Sequence, residues 1–193
     1  MTNTTQRVEG SKPMKYLVPL AACLLVSAML QAAESPYAGQ QYRSIKSLSE
    51  REVASLLNGD GMGFAKPAEL NHYPGPKHVL ELADELALTP SQQAETEALY
   101  QAMRGEAQTL GKALLAAEAG LDQAFAEGAV DAASLEDRVL EIGEIRARLR
   151  YVHLAAHLRQ KALLTEAQVA RYDALRGYDR MSHEHAGHPG HHE

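Results

Sequence analysis

The sequence predicts an all-α protein, and three observations carry that expectation. Alanine is abundant while aromatic residues make up 5% of the chain and tryptophan is absent, a composition that suits closely packed helices better than a sheet. Two long stretches repeat apolar residues at helical spacing. Capping signals stand where each of these stretches begins.

The first long helix opens at Thr89-Pro90-Ser91-Gln92, where an N-cap threonine, a proline in the first turn and a glutamine at the third position follow in order. Leu99, Met103, Leu110, Leu114, Leu121 and Phe125 fall within an arc of roughly 80° at about 100° per residue, one apolar stripe ending near Gly128. The next N-cap is Asp131 or Ser134. Leu135, Val139, Ile142, Leu149, Ala156 and Leu163 then keep a three–four spacing with a coiled-coil-like seam. Two helices joined by so short a connection must lie antiparallel.

Shorter elements flank this hairpin. Ser49-Glu50-Arg51-Glu52 is a capping-box pattern that starts a short helix, and Asn58-Gly59 stops it with a glycine C-cap. Gly59 to Gly63 is a loop. Lys66 to Asn71 is long enough for one helical turn, and Tyr73-Pro74-Gly75-Pro76 breaks it. A further helix is expected from Pro76 through Val79, Leu80, Leu82, Ala83 and Leu86.

Residues 14 to about 33 read as a secretory signal peptide. Met14 and Lys15 precede the uncharged apolar run Tyr16 to Leu30, and Gln31-Ala32-Ala33 leads into polar sequence at Glu34. A basic start, an apolar centre and small residues before a polar segment are what signal peptidase requires. Cleavage after Ala28 or after Ala33 leaves a small residue at the cut. The run is short for a bilayer span, so a permanent membrane anchor is not expected. Met14 is a candidate true start. Leu20-Ala21-Ala22-Cys23 reads as a lipobox, but most of the apolar segment follows the cysteine rather than preceding it, which argues against lipidation. The chain is therefore expected to be exported.

Cys23 is the only cysteine. Cleavage therefore leaves a chain without disulfide, thiolate nucleophile or thiolate metal site. Removing Arg7, Lys12, Lys15 and Glu9 from 19 basic and 25 acidic side chains leaves 16 and 24, a net charge of −8. That balance does not suit nucleic acid. The expected organisation is a signal peptide over 1–33, an N-terminal extension with one short helix over 34–75, a helical domain over 76–180, and a histidine-rich disordered tail over 181–193.

Leu164-Thr165-Glu166-Ala167-Gln168 repeats the pattern of Leu88-Thr89-Pro90-Ser91-Gln92 at a shift of 76 residues, over about 17 residues, which marks a repeated helix start rather than a solenoid. Two LTxxQ motifs in a small exported helical protein resemble the Spy/CpxP family of periplasmic stress proteins, with its ZraP-like and CnrX-like metal-responsive members. The resemblance covers about residues 76–180 and rests on Leu88, Thr89, Gln92, Leu164, Thr165 and Gln168. It implies a four-helix, hairpin-like subunit paired into a curved dimer. Length gives an independent reason for pairing: helices of ~35 residues extend ~50 Å, and a two-helix layer of that length leaves apolar surface open. A second subunit would cover it; the alternative is a monomer with residues 49–86 folded back over the hairpin.

Three groups of residues are candidates for chemistry. His183, His185, His188, His191 and His192 are five of the nine histidines, and neutral imidazoles separated by glycine and proline can wrap a zinc, copper or nickel ion. Such a site would exchange its metal and lose it to protons at low pH. His153 and His157 share one helical face at i, i+4, similar to the half-site of metal-sensing relatives; the plainer expectation is a hydrogen bond in the seam. Arg146, Arg150 and Arg159 belong to a basic run that resembles the client-binding surface of chaperone members. Glu144 can pair with Arg148, which favours a solvated face instead. The chain lacks a phosphate-binding glycine loop in a strand context, a nucleophile triad and an HExxH pattern, so no enzyme is expected. The expected function is a metal-associated periplasmic stress protein acting as buffer, sensor accessory or metal-modulated chaperone. The alternative is an ATP-independent holdase for unfolded clients. Its partners would be a second copy, unfolded envelope proteins or a membrane sensor kinase.

Overall fold

The computed structural model describes residues 35–179, together with Met1. The signal peptide, Cys23 and the histidines at 183–192 lie outside the described residues. Among the described residues there are six α-helices and no strand: α1 Glu50–Asn58, α2 Lys66–Glu69, α3 Pro76–Glu81, α4 Pro90–Ala126, α5 Ala132–Leu163 and α6 Glu166–Arg176, preceded by a short 3₁₀ turn at Gln40–Tyr42. None of these helices is long and apolar enough to cross a membrane.

The long helices form where their caps place them. Thr89 accepts from the Gln92 backbone N–H while the Gln92 side chain accepts from the Thr89 N–H. Asp131 caps α5 in the same reciprocal manner with Ser134, which settles the choice of N-cap. Side-chain contacts tie the start of α4 to the end of α5 (Gln160 Nε2 to Thr96 Oγ1, 3.1 Å) and the end of α4 to the start of α5 (Arg146 Nη2 to Glu118 Oε1, 2.6 Å). The two helices therefore run in opposite directions.

Ile45, Leu48, Leu56, Ala107, Leu114, Ile142, Leu149 and Val152 form the main core, and Val79, Leu86 and Tyr172 form a second cluster towards the LTxxQ end. Three expectations change here. Ile45, Leu48 and Leu56 sit in the same core as α4 and α5, so no domain boundary falls at 75; one compact unit starts at Gly39. Residues 45–86 thus cover apolar surface that length alone left open. The apolar stripes also fray at the loop end, where Phe125 is 57% and Val139 51% exposed. Finally, α3 stops at Glu81 rather than continuing to Leu86. The chain turns through Ala87 at φ 48°, and the Leu88 N–H closes onto the Ala83 carbonyl at 3.0 Å, a helix-ending closure that aims the chain into the α4 cap.

One glycine decides how closely α1 can approach. A Cβ on Gly111 of α4 would stand 2.3 Å from the Leu56 carbonyl oxygen, so only glycine lets the last turn of α1 rest directly on α4. Arg104 Nε donates to the Asn58 carbonyl at 3.0 Å from the same helix. Gly59 then turns the chain with φ +70° and launches the 59–63 loop over α5.

Candidate cleft over the buried histidines

The 59–63 loop, α2 and the 73–76 segment close over one side of α5 and leave a cleft of about 570 Å³. Its floor is His153 and His157, one helical turn apart and only 3% and 9% exposed. The sequence placed this pair on one face; the fold buries it within a single chain. The His153 ring stacks on Phe64 with centroids 5.9 Å apart. Its Nε2 is buried and has no hydrogen-bond partner among the described residues. Burial first, then the neighbouring His157, holds its pKa below 6.5, against a smaller opposing effect of Asp60, so the ring is neutral near pH 7.

His157 differs from it in one hydrogen bond. Its Nδ1 lies 2.7 Å from the Tyr73 carbonyl and 3.6 Å from Glu69 Oε2. The shorter contact takes the proton, because a carbonyl oxygen can only accept. In the neutral ring this leaves the lone pair on Nε2, the tautomer that a backbone carbonyl imposes on metal-bound histidines. Gly75 faces that nitrogen, and a Cβ there would stand 3.0 Å from it. Any side chain at 75 would crowd the space in front of His157 Nε2.

Glu69 anchors the adjoining wall. Its Oε1 accepts from the Tyr172 and Tyr178 hydroxyls, the latter at 3.1 Å, with Arg176 Nε at 3.7 Å. The Tyr172 pKa is raised by burial and by this carboxylate, so Tyr172 stays a neutral donor. Glu69 Oε2 is buried without a hydrogen bond among the described residues. Sequence reasoning missed Glu69, Tyr172 and Tyr178 because they meet from α2 and from α6 and the turn after it, about a hundred residues apart. A faint signal was present in the glycines at 61 and 75, whose backbone lies close to the His153 and His157 rings.

Two further histidines and the candidate arginines lie apart from the cleft floor. His72 bonds Asp173 at 2.7 Å and His78 bonds Glu81 at 2.9 Å. Arg146 is tied to Glu118, a side chain only 7% exposed, whose other oxygen accepts from Ser47 at 2.9 Å. Arg150 borders a shallow depression with Met62, Phe64 and Leu70. Arg159, nine residues later, lies about 180° round the helix from it. The three arginines therefore do not make one patch. The Glu144–Arg148 contact is present at 4.0 Å between exposed side chains.

The two LTxxQ motifs meet. Gln92 Nε2 donates to Gln168 Oε1 at 2.9 Å and Gln168 Nε2 returns the bond to Gln92 Oε1 at 3.0 Å. Each amide also reaches the chain entering the other motif: Gln92 to the Leu163 carbonyl at 2.8 Å, Gln168 to the Leu86 carbonyl at 3.2 Å. Each oxygen still caps its own helix by accepting from the Thr89 or Thr165 N–H. Both amides have thereby used both donors and both acceptor positions. Leu88 and Leu164 pack beside them on the second core cluster.

Among the described residues, no three His, Cys, Asp or Glu side chains are grouped closely enough to hold a metal ion by themselves. Compared with known protein families, curated proteins and solved structures, the chain finds no match.

Proposed function

We propose that this is an exported, metal-associated stress protein of the Spy/CpxP type, acting in the periplasm by binding and without covalent chemistry. It would take zinc, copper or nickel through the histidine-rich tail and the buried pair, and serve as metal buffer, sensor accessory or metal-modulated chaperone. The observation that carries this reading is the face of α5 under the cleft. His153 Nε2 is buried with no hydrogen-bond partner among the described residues, and the His157 bond to Tyr73 turns a second imidazole lone pair to Nε2. An unpaired buried polar nitrogen costs roughly 1–3 kcal/mol, and a bound ion would remove that cost. The test is calorimetric titration of the processed chain with ZnCl₂, CuCl₂ and NiCl₂, beside the same chain lacking residues 183–193. Micromolar or tighter binding that weakens on truncation supports the reading; no binding by either chain refutes it.

The reading includes a helical hairpin paired with a second copy. Leu140, Tyr151 and Leu158 are 64%, 71% and 60% exposed and fall within about 20° on the side of α5 away from α4. Residues 132–145 carry Glu136, Asp137, Glu141 and Glu144 against Arg138, while 146–163 carry Arg146, Arg148, Arg150, Arg159 and Lys161 with no acid. Two such helices attract when antiparallel and repel when parallel.

The holdase alternative is favoured by a different surface. Met62 and Leu70, 41% and 51% exposed, flank the depression beside Arg150, an apolar patch next to a cation that would suit an unfolded acidic client. Suppression of client aggregation by a chain that binds no metal would favour this alternative.

A further inference from the structure

We propose that the cleft is a site for monovalent copper. His153 Nε2 and His157 Nε2 form its floor, and the thioethers of Met62 and Met103 complete a set of two nitrogens and two sulfurs around one Cu(I) ion. This rests on the metal reading above and deepens it, because it selects the ion and adds ligands beyond the histidines.

The first argument is register. Gln160 Nε2 donates to Thr96 Oγ1 at 3.1 Å across the α4–α5 seam. Met103 lies seven residues after Thr96, and His153 lies seven residues before Gln160. Seven residues are close to two helical turns, and the helices are antiparallel. Met103 and His153 therefore return to the same seam at the same level. Both line the cleft, one from α4 and the other from α5.

The second argument is the loop. A Cβ on Gly61 would stand 3.9 Å from His153 Nδ1, which brings the 59–63 backbone alongside that ring. Met62 comes next with φ 44°, a left-handed conformation that a residue with a long side chain rarely adopts. Backbone outliers of this kind persist where the surrounding structure holds them, and they cluster at ligand clamps. Met62 lines the cleft and is 41% exposed, which puts it at the mouth rather than in the core.

The third argument is ligand chemistry. Zinc takes thiolate, imidazole and carboxylate ligands, four in a closed site or three in an open one. Among the described residues no three such side chains are grouped closely enough to hold an ion. What the cleft adds to its two imidazoles is thioether sulfur, a soft ligand that selects Cu(I). His153 Nε2 is buried with no hydrogen-bond partner among the described residues, so this nitrogen is free to ligate. Two thioethers and two neutral imidazoles form an uncharged set. Such a set suits a monovalent ion better than a divalent one, because burying charge without compensation is costly.

The experiment loads the full processed chain with Cu(I) under anaerobic, ascorbate-reduced conditions against bicinchoninate as competing chelator, and titrates ZnCl₂ and NiCl₂ separately. One tight Cu(I) equivalent is expected, with sulfur scattering in copper X-ray absorption. M62L/M103L keeps side-chain volume nearly constant. It should weaken Cu(I) binding at least tenfold and lose the sulfur scattering while leaving Zn²⁺ affinity unchanged. M62L alone, at an exposed loop position, should also weaken Cu(I), which keeps the test decisive if the double variant does not fold. Metal binding by the parent chain without sulfur scattering overturns the thioether site, as does unchanged Cu(I) affinity in folded M62L/M103L; either leaves the histidine reading intact. Absence of binding of all three metals by the parent chain overturns both.

Discussion

Gly111→Ala tests the packing that positions the cleft. The added Cβ would stand 2.3 Å from the Leu56 carbonyl oxygen and 2.9 Å from its carbon. Ordinary contacts lie near ~3.5 Å, so the last turn of α1 must withdraw by about 1 Å. The obstacle is backbone, which cannot rotate aside. Leu56 is 2% exposed in the main core, and Arg104 holds the neighbouring Asn58 carbonyl. Overpacking of this kind costs about 1–3 kcal/mol, and weakening the Arg104 bond adds about 1 kcal/mol. Better helix propensity of alanine returns about 1 kcal/mol. The expected net loss is about 1–3 kcal/mol, or roughly 3–9 °C in Tm for a chain of this size. Gly105→Ala in the same helix is the control. Nothing lies within 4 Å of its Cβ position, so it should gain about 0.5–1 kcal/mol. Urea unfolding with a shared m-value measures both. If Gly111→Ala is as stabilising as Gly105→Ala, α1 does not rest on α4 at contact distance, and the placement of the 59–63 loop falls with it.

Three further perturbations bear on other parts of the molecule. Gln92→Ala and Gln168→Ala should each cost about 1–2 kcal/mol through lost caps and cross-bonds, and a double-mutant cycle should show coupling of about 0.5–1.5 kcal/mol; strict additivity would mean that the two amides do not meet. His153 has its pKa held below 6.5, so the unfolded chain binds its proton first. Its contribution to stability is full above about pH 6.5 and declines as pH falls below that, by at most about 1.4 kcal/mol per pH unit. Unfolding of the metal-free chain at pH 7.5 and 5.5 should show this slope, and His153→Gln should lessen it; an unchanged slope in the variant would place the ring in water. The proposed pairing through α5 predicts that the parent chain sediments as a dimer and that Tyr151→Lys makes it a monomer without altering helix content; a monomeric parent chain, or a dimer that tolerates the change, refutes pairing through this face.

Much of the fold was legible because caps are local. Thr89, Asp131 and Thr165 act within three residues of their partners, so side-chain chemistry and spacing suffice to place three helix starts. Periodicity found the α4–α5 seam for the same reason, since 3.6 residues per turn is a backbone property. It failed at Phe125 and Val139, because a stripe records which residues share a face and not whether anything covers the end of it. The length of α3 was misjudged since Leu82 and Leu86 continue an apolar rhythm, while the left-handed Ala87 that ends the path depends on where the chain must go next.

The LTxxQ motifs and the histidine pair divide along this line. By itself the sequence determined that Gln92 and Gln168 cap their own helices and that His153 and His157 share a face, because both relations span at most one helical turn. Only the tertiary structure decided that the two glutamines lock to each other across 76 residues, and that the histidines lie buried beneath a glycine-rich loop with Glu69 and Tyr178 beside them. Such contacts depend on how α2, α5 and the end of α6 come together around the core. That arrangement follows from the packing of whole helices, including the bare backbone of Gly111, and no local spacing in the chain records it.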